Sequence, residues 1–281
     1  MKNNKTGVFR RKPQDIFLSA ITYGASIIAI SVLVFLVGYV VVKGVPNLKL
    51  SLFSLTYTSE NVSVVPAIIT TVEMTLLSLL IAVPLGMFTA VYLVEYASRK
   101  NKLIGIIRIT AETLSGIPSI VYGLFGMLFF VTTLGWGFSL IAGAFTLSIM
   151  ILPLIMRTTE EALKSVPDSF REGSFGLGAG RLRTVFRIVI PAAMPGILSG
   201  VILAIGRIVG ETAALIYTAG TVAQTPSSLT DSARTLAVHM YALSSEGLYT
   251  NEAYATALIL LVMVIGINAL ASYMAKKLSK I

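Results

Sequence analysis

Apolar runs recur along the chain near residues 20–42, 66–94, 104–131, 138–156, 192–218 and 253–275. Each has close to the roughly 20 residues that a helix needs to cross about 30 Å of hydrocarbon. None alternates apolar and polar positions as a barrel strand does. The pattern therefore predicts an all-α integral membrane protein with six transmembrane helices. It divides the chain into a tail over 1–19, a six-helix membrane domain over 20–275 with its core in about 66–275, and a tail over 276–281. Gly116 and Pro118 fall inside the third run, where the proline removes a backbone hydrogen bond and predicts a kink.

One polar island breaks the pattern at residues 157–190. It carries Arg157, Lys164, Arg171, Arg181, Arg183 and Arg187 beside Glu160, Glu161, Asp168 and Glu172, with glycines at 173, 176, 178 and 180. It is too short to be a domain, so it reads as a docking element that another chain completes. Pro167 and Asp168 suit the start of a helix, and Gly178 suits its left-handed stop. A second helix over 181–190 would align Leu182, Val185, Phe186 and Val189 on one apolar stripe, after which Pro191 would open the fifth span. The plain alternative is a basic surface loop. A glycine-rich phosphate cradle is excluded, because no strand precedes these glycines and no Gly-Lys-Ser/Thr follows.

Composition agrees with the pattern. Hydrophobic residues make up 55% of the 281 and charged residues 12%, against about 25% charged in a soluble domain; mean hydropathy is +0.84. Without cysteine there is no disulfide, thiolate metal site or haem attachment. The net charge of +9 is segregated by side, which fits membrane topology rather than nucleic acid. Lys2, Lys5, Arg10, Arg11, Lys12, Arg99, Lys100, Lys102, the island cations, Lys276, Lys277 and Lys280 share one side, and Lys43, Lys49 and Arg234 the other. By the positive-inside rule the island and both termini are cytoplasmic, in a plasma membrane. The first run is too long for a cleaved signal and reads as a retained helix. His239, in the outer connection over 219–252, is expected to be solvated and without a role.

Glu73, Glu112, Arg207 and Glu211 lie in or near the membrane, where a charge costs at least ~2.5–3.5 kcal/mol on insertion scales. Arg207 and Glu211 stand four apart, on the helix side that carries Gly196, Gly200 and Ala204, small residues that let helices approach closely. Two readings stay open. Arg207 offers a charged fork to an oxyanion, with Glu211 holding it and Thr212 beside it on the pathway; or the pair is only a staple within the bundle. Arg108 and Glu112 repeat the spacing nearer the membrane edge and read as structural, as does Glu73. No catalytic constellation, metal cluster or cofactor motif is present.

The island's register resembles the cytoplasmic signature of ABC importer permeases: Glu-Ala-Ala, three residues, Gly, nine residues, Ile, one residue, Leu-Pro. Here stand Glu172, Gly173, Ser174, Gly178, Ile188, Ile190 and Pro191, with small or isosteric changes at three positions. Arg157-Thr158-Thr159-Glu160-Glu161-Ala162-Leu163, Gly116-Ile117-Pro118-Ser119-Ile120-Val121-Tyr122-Gly123 and Gly206-Arg207-Ile208-Val209-Gly210-Glu211-Thr212-Ala213 resemble phosphate-importer permeases of the PstA type. In the PstC type Met-Ala-Val follows Gly-Glu-Thr; here Ala213-Ala214-Leu215 follows. The resemblance implies a MetI-like type I importer permease fold and a heterodimer with a PstC-like sister permease. It also implies PstB-like ATPase subunits, a PstS-like extracytoplasmic phosphate-binding protein, and no nucleotide chemistry in this chain. It assigns ATPase coupling to Glu161, Pro167, Glu172, Gly173, Ser174, Gly178, Ile188 and Pro191. The rivals are a permease for another oxyanion or small solute and, in a different class, a self-sufficient secondary transporter or channel. An inverted repeat would favour the latter, and none is visible.

Overall fold

The computed structural model describes residues 13–97 and 102–278, which are mostly helical, with no strand among them. The tail cations Lys2, Lys5, Arg10, Arg11 and Lys12, together with Arg99, Lys100 and Lys280, lie outside the described residues. Among the described residues five helices are long and apolar enough to span a membrane: Phe17–Asn47, Val65–Tyr96, Leu140–Lys164, Arg181–Val209 and Thr250–Lys277. A sixth span is a bent pair, Ile104–Ser115 with Ser119–Thr133.

The first helix, α1 (Pro13–Gly44), starts inside the expected N-terminal tail. Among the described residues it leans mainly on the last, α11 (Thr250–Leu278), where Gly44 lies under Leu258 and the Tyr39 and Tyr254 rings meet edge to face. Elsewhere α1 turns Ile27, Ile28 and Phe35 outward, as a lipid-facing helix must. The centre belongs to α2 (Val65–Val91) and α5 (Leu140–Lys164), whose Met74, Leu147, Met150, Ile151 and Ile155 form the main core with Ile208 and Leu215. In its most apolar stretch α5 is 67% buried and the first span 0%, which makes α5 the axis of the bundle. Ser139 starts α5 by accepting from the Ala142 N–H at 3.3 Å, an N-cap.

The third span breaks where a kink was expected. α3 (Lys102–Ser115) and α4 (Ser119–Gly126) meet at 103°. Pro118 is extended, at φ −59° and ψ 142°, and a proline pushes its predecessor out of the helical region. The freed Leu114 carbonyl is taken by the Ile117 N–H at 3.1 Å and the Tyr122 hydroxyl at 2.7 Å, so the break leaves that carbonyl satisfied. Beyond α4 a wider π turn leads to the tight Leu134-Gly135-Trp136-Gly137 connection, with Gly135 at φ +68° and Gly137 at φ +64°.

The fifth span also stops short. A helix runs unbroken from α7 (Arg181–Thr184) through a π turn at Val185–Val189 into α8 (Ile190–Val209). Pro191 thus lies within this helix and does not open it. Lacking an N–H, it cannot satisfy the carbonyl four residues back, and the wider turn before it absorbs the mismatch. That turn also splits the expected stripe: Val185 and Val189 are buried, but Leu182 and Phe186 face outward. After Val209 the backbone leaves the helix at 210–212, and a short α9 (Ala213–Ile216) follows. α4 seats on α9 at Gly123, where a Cβ would come 2.8 Å from the Ala214 Cα.

The island is not one loop. Its first residues are the last turns of α5, its last are the first turns of the helix into α8, and only 165–180 project from the bundle. At the opposite end, the connection expected to be a polar loop contains α10 (Leu236–Glu246), packed on the segment around Tyr57 and Val62. His239 lies there, 1% exposed, so the expectation of a solvated histidine is overturned.

Candidate functional site

The projecting part of the island is built on α6 (Asp168–Gly176). Pro167 precedes it and Asp168 sits at the positive end of its dipole. Gly178 ends it at φ +80°, donating to the Phe175 carbonyl at 2.9 Å while Ala179 donates to Ser174 at 3.1 Å, a left-handed glycine stop. Ser174 is buried and its hydroxyl meets that of Thr184 at 2.8 Å, tying α6 to α7. Glu172 and Gly173 face outward. So do Phe170, Phe175, Leu177 (90% exposed) and Leu182. An apolar tip of this kind, rimmed by charge and held out from the bundle, is what a protein docking surface looks like.

Arg171 braces the tip. Its guanidinium reaches Glu95 Oε1 at 2.7 and 3.1 Å, the Val166 carbonyl at 2.8 Å, the Leu163 carbonyl at 3.0 Å and Asp168 Oδ1 at 3.2 Å. Glu95 lies just beyond α2 and is buried. One side chain thus joins the tip to the ends of two central helices, a role its sequence position did not disclose.

Between the island end of α5, the end of α3 and the last turn of α8 lies a cavity of about 580 Å³. Arg108, Arg157, Lys164 and Arg207 line it with Glu112, Glu160 and Glu161. Glu160 is buried and clamps Arg108 at 2.7 Å and Lys164 at 2.6 Å, while Arg157 pairs with Glu161 at 3.3 Å. The expected Arg108–Glu112 partnership is therefore replaced by a bridge from α3 to α5. Arg207 has no ion pair or hydrogen bond among the described residues, so this wall keeps one uncommitted guanidinium.

The expected Arg207–Glu211 pair does not form. Four-residue spacing aligns two side chains only on a continuous helix, and α8 ends between them. Glu211 is buried and accepts from the Ala214 N–H at 3.1 Å, capping α9 instead. Thr212 lies in the same break, away from the cavity lining. Gly196 and Gly200 do bring helices together: a Cβ on Gly196 would lie 2.7 Å from the Ala162 Cβ, and one on Gly200 would strike Thr158. Both contacts are to α5, so the small-residue face is the α5–α8 seam, and it sets where Arg207 enters the cavity.

The remaining predicted residues divide between these two places. Glu161 joins the cavity, apart from the outward-facing Glu172. Ile188 is half-buried in the π turn and Pro191 exposed just after it. Gly116 and Pro118 form the break at the end of α3, whose Ser115 borders the cavity. Irregular backbone at membrane depth is tolerated where protein buries it or a cavity borders it.

The sequence profile of the family described as "Binding-protein-dependent transport system inner membrane component" matches residues 82–280. The chain is 38% identical over 240 residues to a protein of Bacillus subtilis (strain 168) named "Probable ABC transporter permease protein YqgI", covering 80% of this chain and 81% of that one. It is 46% identical over 140 residues to "Phosphate transport system permease protein PstA 1" of Mycobacterium tuberculosis (strain CDC 1551 / Oshkosh), covering 50% and 45%. It is 32% identical over 276 residues to "Phosphate transport system permease protein PstA" of Yersinia pestis, covering 95% and 91%. In fold it is similar to a chain of a bacterial alginate ABC transporter crystallised with an alginate-bound periplasmic protein. That match has a TM-score of 0.70 at 17% identity, covering 95% and 96% of the two chains.

Proposed function

The chain belongs to the binding-protein-dependent transport system inner membrane component family, and from that premise we propose that it is a permease subunit of an ATP-driven importer of inorganic phosphate. The observation that carries the cargo is the run of relatives named phosphate transport system permease protein, one of them aligned over 95% of this chain. The geometry supports the same reading, because a multi-pass membrane protein with an uncommitted guanidinium in a cavity suits an oxyanion.

In this reading the island end faces the cytoplasm, as the positive-inside distribution implies. A sister permease completes the pathway, and a phosphate-binding protein delivers to the opposite face. ATP is hydrolysed on separate ABC ATPase subunits, one of which receives the tip of α6 through Glu172, Gly173 and the exposed Phe170, Phe175 and Leu177. Movement of the tip passes through Arg171 to Glu95 and to the Leu163 and Val166 carbonyls. Thus the ends of α2 and α5 move with it. The close α5–α8 seam at Gly196 and Gly200 then carries Arg207, and the Arg108–Glu160 pair carries α3.

The direct test is ATP hydrolysis by the complete complex of permeases, ATPase and binding protein in proteoliposomes. Phosphate-loaded binding protein should stimulate hydrolysis well above the rate with unloaded binding protein. Equal rates with and without phosphate would remove the cargo assignment.

A further inference from the structure

The end of the bundle opposite the island holds a second cation that makes no ion pair among the described residues. Arg234 is 6% exposed, just before α10, and its guanidinium lies over the Tyr57 ring at 5.1 Å from the centroid. Its Nε and Nη2 have no hydrogen-bond partner among the described residues. Two carboxylates at this end are engaged elsewhere. Asp231 accepts from the Ser227 N–H and hydroxyl and the Ser228 N–H at 2.9, 2.7 and 2.9 Å, and Glu252 pairs with Lys49 at 3.2 Å.

His239 completes the group, edge to face with Tyr57 at 5.9 Å. Burial, and to a lesser degree the Arg234 charge, pull its pKa down to about 3, so the ring is neutral; a hydrogen bond to the Val62 backbone opposes this. Val62 itself has φ +45°, a strained setting for a β-branched residue. It is held there by its own N–H on the Thr58 carbonyl at 2.9 Å and by Asn61, whose side chain accepts from Thr58 and Ser63. The His239 Nε2 has no partner among the described residues, and in the neutral ring it can accept a hydrogen bond. Side-on guanidinium donors beside a neutral imidazole acceptor match an oxyanion that still carries a proton: the fork takes two oxygens, and the imidazole accepts from the remaining hydroxyl.

We propose that Arg234 and His239 form a second oxyanion site, for protonated phosphate, which is covered in this conformation and uncovered when the opposite face of the transporter opens. The proposal rests on the phosphate reading for its ligand, and on the unpaired buried donors for its existence. A buried cation with no ion pair among the described residues favours whichever state gives it an anion, so phosphate arriving there would favour the open state.

Arginine modification by phenylglyoxal, read by peptide mass in the complete complex, tests this. Arg234 should be unreactive at rest and reactive when the ATPases are trapped with ATP. Millimolar phosphate should then protect it and equal sulfate should not. No reaction in the trapped state, or no protection by phosphate, would overturn the site; equal protection by sulfate would overturn the role of His239. Arg234→Lys should lower phosphate import at limiting phosphate about tenfold by losing the fork, and import at the wild-type level would count against the proposal. Should that variant fail to assemble, the modification experiment on the wild-type chain still decides. Absence of phosphate import by the wild-type complex would instead remove the cargo reading, separately from the accessibility of Arg234.

Discussion

At the scale of single residues, this chain separates cations that hold the fold from cations left free. Arg171 is one of several island arginines in the sequence, and nothing there says that its partner is Glu95, 76 residues away. Burial on both sides makes the pair costly to break singly. Arg171→Met should lower stability by about 3–5 kcal/mol, because it strands a buried carboxylate. Adding Glu95→Leu should recover much of that loss, as measured by thermal unfolding in detergent; additive losses would mean that the two do not act as a pair. His239 gives a pH signature. An unfolded histidine titrates near 6.5, but burial holds this one at about 3. Between those values only the unfolded chain binds the proton, so the contribution is whole above about pH 6.5 and declines as pH falls toward 3. The melting temperature should therefore drop on acidification through this window more steeply in the wild type than in His239→Phe, and parallel curves would contradict it.

At the scale of elements, periodicity made the long helices legible because nothing but helix satisfies backbone groups across a hydrocarbon layer without closing a barrel. It also gave α6, since Pro167, Asp168 and Gly178 each carry a local conformational preference. It did not give the two breaks. Gly116-Ile117-Pro118 announces a weak point but not a 103° turn, which depends on Tyr122 taking up the freed Leu114 carbonyl and on α4 packing against α9. The break after Val209 has no proline, and it undid the Arg207–Glu211 pairing that simple helical spacing suggested. The docking role of α6 is testable by itself. Glu172 is exposed and makes no ion pair among the described residues, so Glu172→Arg should leave folding unchanged within about 0.5 kcal/mol. It should nonetheless abolish co-purification of the ATPase. Retained ATPase binding with ATP-driven uptake intact would contradict the role.

At the scale of the whole molecule, charge and close packing run from the tip to the cavity: the tip of α6, the Arg171 brace, the ends of α2 and α5, the α5–α8 seam and then Arg207. Its two ends differ in kind, one an exposed apolar tip suited to a protein partner and the other an uncommitted cation suited to an anion. Arg207→Gln should cut phosphate import at least about tenfold while the complex still assembles, since one charge-assisted fork is lost; normal import would assign Arg207 to structure. The most direct measurement of the central claim is accumulation of labelled phosphate in proteoliposomes holding this chain with its sister permease, the ATPase and the binding protein. The account predicts accumulation that requires ATP and is lost with Glu172→Arg. Accumulation without ATP, or ATP-driven uptake of another solute with none of phosphate, would contradict it.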